Sequence, residues 1–300
     1  MTRPGRVGRA AVVAGLTVLG FVLGAGGAPR AAQDDSPQAV RRRLHAYLDG
    51  YEHELSALVA DERFDQWPLD GAIPFNGQPR GTYFRDTFRL RTLESTVAFV
   101  SLPANAGWLG FRDVLRVKGK PVTRKGPPLT ELLALASVDA RDRALALLLA
   151  SARHNLGAPR TINLPSLPLE LLHLRNEARF AIDRTSRDRV GDCDALRLDL
   201  VETVTPTLIQ RPEGGDMPSR VAAWVEPATG RLCRAEVRTR DARLGASKFE
   251  ALVSVDFAPD PAVGLTVPVR MWEVFLVPPR GAGEGEATYS NYRRVVPPAR

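Results

Sequence analysis

From Ala178 onward the sequence alternates apolar and polar residues with a period of two, and this limits what the chain can build. Seven segments carry the pattern: Ala178 to Arg184, Ala195 to Val204, Val221 to Glu226, Arg231 to Thr239, Phe249 to Phe257, Thr266 to Leu276 and Ala287 to Val296. A period of two sends successive side chains to opposite faces of an extended strand. The connections, among them "RPEGGDMPS", "PATG", "APDPAVG" and "PPRGAGEGE", are rich in Gly, Pro and Asp, the residues that turn a chain. Sequential strands joined by short loops pair as an antiparallel meander. Helical and strand blocks follow one another without βαβ alternation, so a parallel sheet is not expected.

One side of the predicted sheet is consistently apolar. In "WVEPATGRLCRAEVRT" (Trp224 to Thr239) and the residues just before it, Val221, Ala223 and Val225 share a face with Cys233, Ala235 and Val237. Trp224, Glu226, Arg234, Glu236 and Arg238 take the other face. Ala251, Val253, Val255 and Phe257 continue the apolar side, as do Val267, Val269, Met271 and Phe275. That side is wider than one helix covers. Where helices leave it open, Val225, Ala235, Val237, Val253, Val255, Val269 and Met271 are the candidate ligand-lining residues; where they cover it fully, the same residues form an ordinary core.

Two helical blocks are available to cover it. Ser36-Pro37 reads as an N-cap followed by proline at the first helical position. Val40, Leu44, Leu48, Tyr51, Leu55 and Leu58 then fall on one face of a helix expected to end near Arg63. The second block spans Leu129 to Leu156, with Asp139 as cap of its main part and Leu145, Leu148, Leu149, Ala152 and Leu156 as its buried stripe; Gly157 and Pro159 stop it. "PSLPLELLHL" adds a turn or two of helix. Between the blocks, Thr82 to Leu102 and Trp108 to Val122 read as extended, the latter entering a tight turn at Lys118-Gly119-Lys120. The expected architecture is α+β: a large curved antiparallel sheet, an unclosed half-barrel, with two main helices on its apolar face.

The N-terminus reads as an export signal. Arg3, Arg6 and Arg9 precede the uncharged run Ala10 to Ala28, which ends in small residues. Residues 1–32 are expected to be a signal peptide and residues 33–300 a single domain, exported to the periplasm or beyond. The competing reading, a retained anchor, suits the run's length but not its ten Gly and Ala residues. The chain carries 41 Lys+Arg against 34 Asp+Glu; without Arg3, Arg6, Arg9 and Arg30 the balance is 37 against 34, or +3. The pI of about 9.9 therefore does not mark a nucleic-acid binder. No stretch interleaves clustered basic residues with aromatics.

No catalytic motif is present. His45, Asp49 and His53 share a helix face beside Glu52, but the His-Glu-x-x-His pairing of zinc hydrolases is missing and these positions read as a solvated flank, so no metal or cofactor is expected. His154 falls in a last helical turn, where a cation suits the dipole, and His173 sits among leucines. Neither has a recognisable partner. There is no Gly-x-Ser-x-Gly elbow or Ser-x-x-Lys. The glycines of "GAGEGEA" read as a flexible hairpin loop before a strand rather than as a phosphate loop.

Cys193 and Cys233 are the only cysteines, and an exported compartment permits their pairing. Their parities place them on opposite faces, so a disulfide requires a bulge or an irregular strand start at Asp192-Cys193; the alternative is two separate thiols. Glu202 falls on the apolar parity of Leu196, Leu198 and Leu200. Thr205-Pro206 just beyond favours a strand end in solvent over an internal arginine partner.

A signal peptide, a long first helix and a meander containing this hairpin resemble the outer-membrane lipoprotein carrier (LolA-like) superfamily. Members carry a similar W-x-[DE]-P-x-T-G-x-x-x-R hairpin, matched by Trp224, Glu226, Pro227, Thr229, Gly230 and Arg234. "ATYSNYRRV" (Ala287 to Val295) resembles the end of a group of uncharacterised exported bacterial proteins. The resemblance implies an unclosed half-barrel that binds acyl chains without chemistry. Lipid or lipoprotein carriage is the leading expectation. The alternative is a periplasmic regulator or scaffold of the same fold with a filled core and a protein partner.

Overall fold

The computed structural model describes residues 34–69, 91–102, 107–123, 128–134, 138–157, 159–211, 214–240, 250–277 and 281–295. The expected signal segment, Phe84, Phe88, Leu90 and the start of the Phe249 strand lie outside them.

Helix α1 (Pro37–Leu55) opens as expected: the Ser36 side chain accepts from the Ala39 amide at 3.3 Å, with proline in the first turn. It ends at Leu55, eight residues before the expected Arg63, and Leu58–Leu69 is strand β1. The alternation there was masked because Glu62 and Gln66 share the inward parity of Leu58, Ala60 and Phe64. Strands β2 (Arg91–Leu102), β3 (Gly107–Val117) and the short β4 (Lys120–Pro121) follow. Lys118 and Gly119 turn with positive φ.

The second helical block divides into α2 (Leu129–Ala134) and α3 (Val138–Ala152). α3 begins one residue ahead of Asp139, which is therefore not its cap. Leu148 and Ala152 are buried and Leu156 is half-buried, but Leu145 and Leu149 are exposed. α3 lies along β3, and one strand's edge gives a helix a narrower contact than the five-residue stripe requires. α4 (Ser166–Leu172) and a 3-10 segment (Leu174–Arg179) lead into the last strands. These are β5 (Phe180–Val190), β6 (Cys193–Glu202), β7 (Ser219–Val225), β8 (Leu232–Arg240), β9 (Glu250–Asp260), β10 (Leu265–Val277) and β11 (Gly281–Arg294).

All eleven strands form one antiparallel sheet in the order β4-β3-β2-β1-β11-β10-β9-β8-β7-β6-β5. First and last strands are neighbours, and β4 and β5 are the two free edges, so the sheet is open. The connection through α2, α3 and α4 carries the chain from one free edge to the other. "GAGEGEA" is not a loop: it lies within β11. Gly283 and Gly285 are there for packing, because a Cβ on Gly283 would collide with the Phe275 ring and one on Gly285 with the Phe64 ring. Edge β5 is defended by Arg184, Arg187 and Arg189 rather than left apolar.

The main core lies between the inner face of the sheet and α1, with α4 joining it. A smaller apolar cluster on the outer face holds Val59, Ala98 and Phe111 beneath Leu129 and Leu148.

Candidate functional site

Strand register brings the seven expected lining residues together on the inner face. Met271, Val255 and Ala235 stand in one cross-strand row and Val253 and Val237 in the next, with Val225 and Val269 alongside. Six of them are no more than 2% exposed and Val269 is half-buried. Val40, Leu44, Leu48, Tyr51 and Leu55 of α1 belong to the same cluster. The face is a closed apolar surface under a helix.

Towards β1 and β3 the inner face changes character. Glu62 of β1 and Arg112 of β3 form a bidentate pair at 2.6 and 2.7 Å, both side chains within 3% of full burial. Arg160 pairs with Glu273 of β10, equally deep. Asn163, fully buried, accepts from Arg112 through its carbonyl at 2.9 Å and donates to Asn155 Oδ1 at 3.0 Å and Glu273 Oε1 at 3.5 Å. Gln66 accepts from the Leu156 amide at 2.6 Å. The strap residues Asn155, Leu156, Arg160 and Asn163 are thus held onto the inner face by polar groups. Each guanidinium also lies over an aromatic ring, Arg112 4.9 Å from Phe64 and Arg160 3.7 Å from Phe275. Burial alone would lower Arg112, but the charge and hydrogen bonds of Glu62 reverse this and hold it above its ordinary value. Burial, then Glu62, pushes Tyr289 well up.

No sequence expectation included these groups. Glu273 had a legible signal, since it shares the parity of Met271 and Phe275. Arg160 and Asn163 lie in a segment with no periodicity.

The expected solvated flank of α1 is only partly so. Asp49 and His53 are exposed, but His45 is 6% exposed, with Nδ1 3.7 Å from Glu177 Oε2. The 3-10 segment lies against α1 there, burying a quarter-turn position that an isolated helix would leave wet. His173 is buried too, its Nε2 2.6 Å from Glu52 Oε2 without the alignment of a hydrogen bond. His154 lies just past α3, and burial and then Arg91 lower its pKa.

Glu202 is not at a wet strand end. It is buried, accepts from the Leu208 and Ser219 amides at 2.8 and 3.2 Å and lies 3.5 Å from Arg179. The turn beyond it folds back over the carboxylate.

Cys193 and Cys233 are disulfide-bonded, with their Cα atoms 6.4 Å apart. The irregularity needed for this is at Cys233, not at Cys193. Trp224 pairs with Arg234 and Val225 with Leu232, which leaves Cys233 as the extra residue of a bulge. It turns to the outer face beside Trp224, Ala222 and Ala195.

The hairpin motif is structural throughout. Trp224 donates from its indole N–H to Asp188 at 2.8 Å and lies beneath Arg197 and Arg234. Glu226 accepts from Arg231 and Thr229, and the Arg231 bond first, then that of Thr229, lowers its pKa. Arg234 pairs with Asp256 at 2.5 Å.

On the outer face a groove of about 290 Å³ lies among Arg184, Arg197, Arg220, Arg238 and three acids. Each of these arginines has an acid within 4 Å, but Asp199 serves both Arg184 and Arg197, so the groove holds one more arginine than acids. Among the described residues no group of three or more His, Cys, Asp or Glu is placed to hold a metal, and no helix is long and apolar enough to cross a membrane.

No family model and no curated protein matches this chain. Solved structures similar to it include a DUF1329 family protein from Desulfovibrio piger ATCC 29098, at 11% identity and a TM-score of 0.40, covering 87% of this chain and 94% of that one. A LolA superfamily protein from Nitrosomonas europaea is similar at 10% identity and a TM-score of 0.34, covering 85% and 93%.

Proposed function

We propose that this chain is an exported, non-enzymatic binding protein of the cell envelope that takes the acyl chain of a lipid or lipoprotein onto its inner sheet face. One observation carries this reading: that face joins an apolar region on β6 to β10 with a buried, charge-bearing region around Glu62, Arg112, Arg160 and Glu273. A core that serves stability alone gains little from buried ion pairs, because desolvation offsets most of their attraction. An amphiphile needs both kinds of surface side by side. α1 and the strap occupy the face, so binding requires α1 to move. Binding without catalysis is supported by the pairing of Glu62 and Glu273 with arginines.

The alternative is a regulator or scaffold with a filled core and a protein partner. The near-complete burial of six of the seven lining residues favours it. Native mass spectrometry of protein purified from its own envelope, with displacement of a fluorescent fatty acid, separates the two. Co-purifying lipid supports carriage. Absence of lipid together with no displacement leaves the filled-core reading.

A further inference from the structure

The cover of the inner face is fastened along one side by a polar seam containing two buried histidines. From α1, Arg41 donates to the Phe180 carbonyl at 3.0 Å and the Glu177 carbonyl at 2.7 Å, and His45 follows one turn later. From the other side come Glu170 and His173 at the end of α4, and Arg175 and Glu177 of the 3-10 segment. Arg175 binds Glu170 through two nitrogens and lies 3.6 Å from Glu52 of α1. Beyond the seam, Glu202 of β6 and Arg179 lie 3.5 Å apart. The strand residues of β6 under α1 are Leu196, Leu198 and Leu200.

We propose that this seam is an acid-operated latch on α1, with His45 as its sensing side chain. The proposal rests on the reading of the inner face as a binding surface. Neutral His45 suits its place. A proton on it puts a buried cation beside the Arg41 guanidinium and the His173 ring, answered only by Glu177, which is already engaged with Arg41 at 3.7 Å and is partly exposed. At 3.7 Å that carboxylate does not hydrogen-bond His45. The repulsion falls on the contacts that dock α1, so acidification loosens the helix and uncovers Val225, Ala235 and their neighbours. Burial first, then Arg41 and His173 against the opposing pull of Glu177, lower the histidine's pKa, which is the expected direction for a group whose charging opposes docking.

Hydrogen exchange on the whole folded chain tests the latch, corrected for the intrinsic pH dependence of exchange. In the wild type, α1 amides from Val40 to Leu55 should exchange about tenfold faster relative to β8 to β10 at about pH 5.5 than at about pH 7.5. His45→Gln should abolish the difference. Unchanged relative protection in the wild type, or the same acceleration in His45→Gln, overturns the proposal. If His45→Gln does not fold, histidine-selective NMR titration of the wild type decides: the His45 ring and the α1 amides must share one midpoint, and separate midpoints overturn it. The readout involves no lipid, so its failure leaves acyl-chain binding standing, and absence of lipid leaves the latch standing.

Discussion

Gly230 is packed against the backbone of Arg43. A Cβ at Gly230 would run into the Arg43 carbonyl and come within 2.7 Å of the Leu44 amide nitrogen. The hairpin turn that marks the sequence resemblance is therefore a point at which the sheet meets the backbone of the helix covering it. Glu226, Thr229 and Arg231 bind one another to shape the turn, and Gly230, with φ of 78°, supplies the conformation and the clearance.

Gly230→Ala meets both requirements badly. A left-handed conformation costs an L-residue about 1–2 kcal/mol, and the clash with α1 adds a displacement of similar size. Urea denaturation should show a loss of about 2–4 kcal/mol. A loss below about 1 kcal/mol would mean that the helix is not held by this turn.

Much of the fold was legible because the strands after Ala178 face an apolar core on one side only, so alternation and structure coincide. The inner parity of Val253, Val255 and Met271 held through the register. β1 was not legible, because Glu62 and Gln66 stand where alternation predicts apolar residues, and their partners Arg112 and Leu156 are far away in sequence. Cys233 defeated parity for a related reason: a bulge moves one residue to the other face and leaves no local trace. His45 looked wet because its cover comes from a segment more than a hundred residues later.

The Cys193–Cys233 bond joins residues 40 apart in sequence across the end of β7. Cross-linking a loop of this length restricts the unfolded chain and stabilises by about 2–5 kcal/mol. The double variant Cys193→Ser/Cys233→Ser should unfold at correspondingly lower urea, and reductant should lower the wild type to the same midpoint. A wild-type midpoint indifferent to reductant would contradict this.

The Glu62–Arg112 pair should behave as a unit. Arg112→Met strands a buried carboxylate and should cost about 3–5 kcal/mol. Removing both charges in Glu62→Met/Arg112→Met should recover most of that loss, because two apolar side chains in contact need no counter-charge. Strictly additive losses in the double-mutant cycle would show that the two side chains do not depend on each other.

Glu236 stands on the outer face with its carboxylate mostly buried, 3.6 Å from Arg238. Burial raises its pKa above the ordinary 4.5, and Arg238, Arg197 and Arg234 only partly oppose this. The folded chain therefore holds this proton more tightly than the unfolded chain does. The group's stabilising contribution is fully present below 4.5 and is lost as pH rises through the raised value, which leaves a burdened carboxylate at neutral pH. Glu236→Gln, which carries no charge at any pH, should be more stable than the wild type near neutrality, with the two urea midpoints converging as the pH falls towards 4.5. A variant less stable than the wild type at neutral pH would show instead that the contact with Arg238 outweighs the burial of the charge.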